Sequence, residues 1–212
     1  GDADPYRSLK RANNEDAAAV SLAVRGSLST FRDLVLASVV GNTLDYGSSA
    51  HTVTDNFVEF FRREFAAGLT VDDTDAIETL ASRVVYLTDN CGEIVFDALL
   101  ADRLKKNGSH VTVAVRGAPI LNDATLEDAT ALGLDQRVDL LTTTTDGVAE
   151  LGLNRELAPP ALVDALDRAT LVISKGMANY ESLSDDRDPP PGVAGPGFRR
   201  RPRHPCPAIT AI

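Results

Sequence analysis

Residues 83–93 decide the fold, and they read Arg-Val-Val-Tyr-Leu-Thr-Asp-Asn-Cys-Gly-Glu. The apolar run at 84–87 is β-branched or aromatic and shows no alternation, which is typical of a strand buried on both faces. Asp89 and Asn90 follow this strand, and a helical pattern begins after Gly92. In open α/β sheets, ligands bind where a strand ends and the next helix begins, so the stretch predicts both a central strand and a site.

After residue 82 the sequence alternates between strand and helix patterns. Further strands are predicted at 110–115, 138–142 and 169–174, and helices at 94–107, 125–133 and 160–168. Strands that alternate with helices predict right-handed crossovers and a parallel sheet. The predicted fold class is therefore α/β, a Rossmann-like parallel sheet flanked by helices and preceded by a helical segment.

The chain divides into three parts. Residues 1–82 are predicted to be the helical segment, in which the phenylalanines between 57 and 65 share one helix face and pack on a core. Residues 83–183 form the predicted α/β core. Residues 184–212 hold most of the prolines and a run of arginines without periodicity. This last part is predicted to be a disordered tail or the aberrant product of a shifted reading frame.

Composition excludes several classes of function. The net charge of −10, with 31 acidic and 21 basic residues, argues against a nucleic-acid surface, because phosphate backbones are bound by clustered Lys and Arg. The apolar runs are far shorter than the ~20 residues that cross a bilayer, which argues against a membrane partner. Two cysteines without metal-ligand spacing indicate a reducing, cytoplasmic location. The sequence leaves the oligomeric state open.

Polar side chains follow three of the predicted strands. Asp89 and Asn90 follow the first, residues 116–125 the second and residues 174–181 the fourth, so parallel strands would bring all three to one edge. Carboxylate and amide oxygens suit a hard divalent cation. A nearby lysine and arginine, with the positive end of the helix after Gly92, would hold an anion. A metal, an anion site and water together indicate hydrolysis of a phosphate ester.

Each of these acidic and amide residues also has a purely structural interpretation. Asp89 and Asn90 are residue types that commonly cap a following helix. Asp123 is a candidate turn residue before a helix whose cap is Thr125, paired with Asp128 in a capping box. Since Thr125 already supplies that cap, the functional interpretation of Asp123 is modestly favoured.

Other candidate residues have simple explanations as well. Glu93 in a first helical turn complements the helix dipole, and Lys175 alone would be an ordinary surface lysine. Cys91 is predicted to be a small packed residue, because no histidine lies near it in sequence. Neither a Walker A pattern nor Gly-x-Gly-x-x-Gly occurs, so nucleotide binding by those loops is not supported.

Co-linear motifs between about residues 4 and 183 resemble a known family. They are Asp-Pro-Tyr at 4–6 with Lys10 and Asn13, Gly-Asn-Thr-Leu-Asp-Tyr-Gly at 41–47, Asp-Asn-Cys-Gly-Glu at 89–93, Val-Arg-Gly-Ala-Pro-Ile-Leu-Asn-Asp-Ala-Thr at 115–125 and Ser-Lys-Gly-Met-Ala-Asn-Tyr-Glu at 174–181. The chain resembles the metal-dependent damage-control phosphatases, long catalogued as domain of unknown function eighty-nine, and in particular their stand-alone archaeal and bacterial branch. It departs from their pattern at both ends.

The resemblance implies a hydrolase of small phosphorylated metabolites, such as sugar phosphates or damaged phospho-metabolites, with Mn, Co, Ni or Mg bound. It implies that Asp89, Asn90 and Asp123 hold the metal and that Lys175 lies at the phosphate end of the site. These four residues form the expected catalytic set.

Three more residues are predicted from their positions to surround the site or to contact substrate. They are Glu93, Arg116 and Asn122. The alternatives are an S-adenosylmethionine-dependent protein carboxyl methyltransferase and a non-catalytic module that binds a phosphorylated metabolite.

Overall fold

The structure is a computed structural model that describes residues 3–43, 53–185 and 209–211. Its sheet has the strand order β3-β2-β1-β4-β5, and every neighbouring pair is parallel. The strands are β1 (Arg83–Leu87), β2 (His110–Val115), β3 (Leu140–Thr143), β4 (Leu171–Ser174) and β5 (Ile209–Ala211). The predicted α/β fold with a central first strand is confirmed.

Helices precede the sheet and connect its strands. They are α1 (Arg7–Val24), α2 (Phe31–Thr43), α3 (Val53–Ala67), α4 (Thr74–Leu80), α5 (Glu93–Lys106), α6 (Leu126–Ala131), α7 (Pro160–Asp167) and α8 (Met177–Asp185). Short 3-10 turns lie at Arg25–Ser27 and Leu134–Gln136. Helices α5, α6 and α7 match the three predicted between the strands, α1–α4 make up the predicted helical segment, and α8 was not predicted. The glycine-bracketed motif at 41–47 lies largely outside the described residues.

Strand β1 is buried on both faces, as its continuous apolar run predicted. Val84 and Tyr86 belong to the core cluster that packs β1 against α5, whereas Val85 and Leu87 belong to the cluster shared with α7. Side chains of a strand alternate between the two faces of its sheet, so helices must cover both. This position places the loop after β1 at the centre of the carboxyl edge of the sheet.

The helical segment packs against α5 through aromatic side chains. The Phe61 ring stacks on Phe96 of α5, with 5.1 Å between the ring centroids, and on Phe65, with 5.7 Å. Phe57, Phe60 and Phe65 are partly buried against the same cluster, which confirms the predicted aromatic face. Stacked pairs add about 0.5–1.5 kcal/mol beyond burial.

The last part of the chain differs from its prediction where it is described. Helix α8 extends to Asp185, and Ile209–Ala211 form the edge strand β5 beside β4, although the whole of 184–212 was predicted to be disordered or aberrant. A three-residue strand is too short to produce a periodic sequence signal. The other predicted tail residues lie outside the described ranges. Within those ranges, no helix is both long and apolar enough to cross a membrane.

Candidate active site

Two loops at the carboxyl edge of the sheet are joined through their backbones. The Cys91 amide donates to the Asn122 carbonyl at 2.9 Å, and the Ala124 amide donates to the Asp89 carbonyl at 2.8 Å. Asn90 and Asp123 form an antiparallel bridge between these bonds. The structure therefore brings together Asp89, Asn90 and Asp123, the three predicted metal ligands. Asn122 takes part here through its backbone carbonyl.

The turn that carries Asp123 has an unusual backbone. Leu121 has φ +47°, and it is the non-glycine residue with positive φ in the described part of the chain. The turn is closed by a 3.1 Å hydrogen bond from the Asp123 amide to the Ile120 carbonyl. A positive φ costs a non-glycine residue on the order of 1–3 kcal/mol, so the hydrogen bonds to the neighbouring loop must hold this conformation.

Arg116 lies beneath the two carboxylates and binds both. Its Nε donates to Asp123 Oδ2 at 2.5 Å, and Nη2 donates to Asp89 Oδ1 at 3.1 Å. Nη1 donates to Asn179 Oδ1 at 2.9 Å and to the Gly152 carbonyl at 3.2 Å. The side chain is 1% exposed. The contact of Arg116 with substrate stays a prediction.

The Asp89 carboxyl is held close to other groups. Burial and, after it, the charge of Asp123 raise the pKa of Asp89 to about 6, against the opposing effects of Arg116 and Lys175. Asn90 Nδ2 donates to Asp89 Oδ2 at 2.9 Å. Gly176 packs directly against this carboxylate at φ +77°, and a Cβ atom there would overlap the carboxylate oxygens. The glycine that follows Lys175 is thus required by shape as well as by backbone conformation.

Neither Asp89 nor Asn90 caps α5, so that alternative is wrong. The N-cap is Gly92, at φ +89°, and no side chain caps this end of the helix. The Gly92 amide donates instead to Asn14 Oδ1 of α1 at 2.6 Å, so this amide is not free to bind an anion. The predicted capping box of Thr125 is present in α6. Asp123 is therefore not needed as a cap, and its carboxylate faces Arg116.

Lys175 is enclosed by protein groups, so the interpretation as a surface lysine is wrong. Its Nζ bonds the Ser38 carbonyl at 2.9 Å, Ser38 Oγ at 3.0 Å and Asp97 Oδ1 at 3.1 Å, and it forms an ion pair with Glu93. Tyr86 donates to the same Asp97 oxygen at 2.7 Å. Burial raises the pKa of Glu93 to about 7, although the Lys175 charge opposes this shift. The contact of Lys175 with a phosphate stays a prediction.

The helical segment contacts both loops of the site. The Lys10 side chain is 1% exposed, and its Nζ pairs with Asp4 at 2.8 Å and with Asp128 at 2.7 Å, next to the loop that carries Asp123. Asn14, one helical turn later, holds the loop after β1 through Gly92. The amide of Asn42 in α2 donates to Glu93 Oε1 at 3.1 Å. The site is thus built from the helical segment and the sheet together.

Sequence reasoning missed Asp97, Asn179 and Asn14 as members of the site. Asp97 carried a usable signal, because it lies four residues after Glu93 among apolar residues and so shares a buried helix face. Asn179 likewise lies four residues after Lys175. A polar residue at such spacing points the same way as the predicted site residue. Asn14 carried no comparable signal.

Comparison with known proteins identifies the family. Residues 1–195 match the family described as the damage-control phosphatase ARMT1-like domain. The chain belongs to this family. The match includes the helical segment, in keeping with the contacts that Lys10 and Asn14 make, and it confirms the resemblance seen in the motifs.

Individual damage-control phosphatases are similar over most of the chain. A protein of Archaeoglobus fulgidus described as a damage-control phosphatase is 44% identical over 188 residues, which cover 86% of this chain and 65% of that protein. One of Pyrococcus horikoshii with the same description is 29% identical over 193 residues, 89% of this chain and 66% of the relative. The chain thus spans slightly less than two thirds of the length of these relatives.

A solved structure shares this fold over most of the chain. The crystal structure of a DUF89 family protein from Pyrococcus horikoshii superimposes on this chain with a TM-score of 0.79 and 27% sequence identity. The superimposed region covers 89% of this chain and 66% of the crystallised chain. The family assignment therefore stands on both sequence and structure.

Proposed function

We propose that this chain acts as a metal-dependent phosphatase, a phosphoric monoester hydrolase of small phosphorylated metabolites such as sugar phosphates or damaged phospho-metabolites. The observation that carries the proposal is the convergence of Asp89 and Asp123 on the single guanidinium of Arg116. Relatives described as damage-control phosphatases support hydrolysis of a phosphorylated compound over methyl transfer.

The residues at this edge of the sheet fit a divalent cation such as Mn, Co, Ni or Mg. Asp89 and Asp123 offer carboxylate oxygens and Asn90 an amide oxygen, which hard cations prefer while keeping several waters. Among the residues that the structure describes, no group of three or more His, Cys, Asp or Glu side chains could hold a metal. The proposed set differs from such a group because its third ligand is an amide.

The charge of the surrounding network supports the same fit. In the described part of the chain, four carboxylates of the network lie beside two cationic side chains, which leaves a formal excess of two negative charges. The carboxylates are those of Asp89, Glu93, Asp97 and Asp123, and the cations are Arg116 and Lys175. A divalent cation would neutralise this excess, and buried charges are stable only when they are paired.

In the proposed mechanism, the bound cation would stabilise charge on the phosphoryl oxygens and lower the pKa of a water. Asp89, Asn90 and Asp123 would hold the cation at the edge of the sheet. Arg116 keeps the two carboxylates at a fixed spacing from below. Lys175 offsets the charge that develops on the phosphoryl group, which requires one of its present bonds to be exchanged for a phosphate oxygen.

Phosphate release from an aryl phosphate and a panel of sugar phosphates, with and without Mn, Co and Ni, tests the proposal. Wild-type protein should release phosphate only with metal, and Asp89→Ala should release none. Asp102→Asn is the matched control, because it removes a carboxylate that pairs with Arg137 away from the site. Release in excess chelator, or by Asp89→Ala, would refute the proposal. Metal-dependent binding without release would support the non-catalytic module instead.

A further inference from the structure

We propose that Asn179 is a positioning residue that fixes the Arg116 guanidinium and, through it, the spacing of Asp89 and Asp123. The inference rests on the proposed function in one respect, that these carboxylates hold the metal. It assigns a role to a motif residue that lies on α8, outside the loops that carry the proposed ligands.

The amide of Asn179 has a defined orientation. It is fully buried, and its Nδ2 donates to the Thr88 carbonyl at 3.0 Å and to the Lys175 carbonyl at 2.8 Å. Because both hydrogens are used on these carbonyls, the amide oxygen must face the other way, toward Arg116. Asn179 Oδ1 accepts from Arg116 Nη1 at 2.9 Å. The Thr88 and Lys175 carbonyls, which follow β1 and β4, thus fix the position of the Asn179 oxygen that binds the guanidinium.

The guanidinium is planar, so an acceptor on one nitrogen constrains the direction of the others. Nη1 is held by Asn179 and Gly152, which leaves Nη2 directed at Asp89 and Nε at Asp123. The bond to Asp89 is 3.1 Å long, against 2.5 Å for the bond to Asp123. Loss of the Asn179 acceptor would leave Nη1 with the longer bond to the Gly152 carbonyl, so the plane could turn, and the long bond to Asp89 would be lost before the bond to Asp123.

Two nearly isosteric variants separate this role from a merely structural one. Asn179→Asp keeps an acceptor oxygen for Arg116 but loses the two donors to Thr88 and Lys175. Asn179→Leu loses both the acceptor and the donors. A structural role through the donors would impair the two variants equally, whereas positioning of Arg116 would impair Asn179→Leu alone. Asn179→Ala replaces Asn179→Leu if the latter does not fold.

The readout is Mn²⁺ affinity, measured by titration with detection of free Mn²⁺ by electron paramagnetic resonance. Residues that support metal ligands change metal affinity by about 10–100-fold. We expect a loss in this range for Asn179→Leu and no loss for Asn179→Asp, because the carboxylate keeps the acceptor and adds a negative charge that favours a cation. The control is Thr170→Val, which removes the hydrogen bonds of the Thr170 hydroxyl with the Arg83 amide and the Leu80 carbonyl at the opposite end of the strands. It should leave the affinity unchanged.

A second measurement is independent of metal. The Nε–H resonance of Arg116, assigned by its loss in Arg116→Lys, should shift and broaden in metal-free Asn179→Leu but not in Asn179→Asp. Equal affinities for wild type and Asn179→Leu, or an equal loss in both Asn179 variants, would overturn the inference, as would an unchanged Arg116 resonance. Wild-type protein that binds Mn²⁺ with the expected variant pattern but releases no phosphate would overturn the proposed hydrolysis and leave the inference standing.

Discussion

Replacement of Lys175 by methionine tests whether its ammonium group is enclosed in the network around Glu93 and Asp97. Methionine has a similar length and no charge, so Lys175→Met leaves two almost fully buried carboxylates without their cation. Removal of one partner from a buried ion pair costs about 3–5 kcal/mol, against a net stability of about 5–15 kcal/mol for an ordinary domain. The structure thus predicts that about a fifth of the stability or more is lost.

Urea unfolding followed by circular dichroism measures this loss. With a slope of about 2 kcal/mol per molar, a destabilisation of about 4 kcal/mol lowers the unfolding midpoint by about 2 M. The matched control is Lys105→Met, because Lys105 pairs with Asp139 on the surface, where both side chains are about one third exposed. Such pairs contribute about 0–1 kcal/mol. The control midpoint should therefore change by less than about 0.5 M.

Variants that neutralise Glu93 and Asp97 complete a thermodynamic cycle with Lys175→Met. If the cost comes from unpaired charge, Glu93→Gln combined with Asp97→Asn should recover most of the stability that Lys175→Met loses. A loss in Lys175→Met no larger than that in Lys105→Met would refute the reasoning, since it would mean that the ammonium is solvated. The test reports on stability alone, so it holds whether or not Lys175 also contacts a phosphate.

Two further predictions concern the loops of the site. Gly176→Ala should weaken Mn²⁺ binding in the titration assay at least tenfold, because the new Cβ displaces the Asp89 carboxylate; Gly133→Ala, with a similar φ of +70° but open space around it, should bind as wild type does, and equal effects would refute the steric argument. Burial raises the pKa of Asp128, but hydrogen bonds from Lys10 and Thr125 outweigh this effect, so the pKa lies below its ordinary value. The stability that the Asp128 carboxylate contributes is therefore present above pH 4 and lost as the pH falls further. In Asp128→Asn, the urea unfolding midpoint should fall less steeply with decreasing pH than in the wild type. An equally steep fall would contradict the role given to Asp128.

The sheet and its central strand were predictable because they follow from a local pattern. The first four strands and the helices between them have local sequence patterns of their own, and an unbroken apolar run can be buried on both faces only if helices cover both. Helix α8 escaped prediction because its sequence, Met177–Asp185, is mostly polar and directly continues a motif that looked like a loop. Strand β5 has three residues, and it is defined by its pairing with β4 and not by a pattern in its own sequence.

The meeting of Asp89 with Asp123 was also predictable, since carboxyl ends of parallel strands share an edge. The partners of the charged residues were not. Arg116 and Lys175 were expected to face an anion, because an isolated basic residue at a strand end has no sequence signal for burial. Their partners include Glu93 and Asp97 of α5 and Asn179 of α8, and the packing of these helices decides which faces meet. Sequence thus located the site but not the charge balance within it.

The contacts of α1 with the two loops explain why the helical segment belongs to the site. The loop after β1 must keep Gly92 at φ +89° while Asp89 is held against Arg116, and the loop after β2 must keep Leu121 at φ +47°. Asn14 accepts the Gly92 amide, and Lys10 binds the capping box that follows Asp123. Both residues lie on one face of α1, four positions apart, so a single helix restrains both loops. Without α1, both loops would lose these restraints, and the repulsion between the carboxylates would be opposed by Arg116 and by the backbone bonds between the loops.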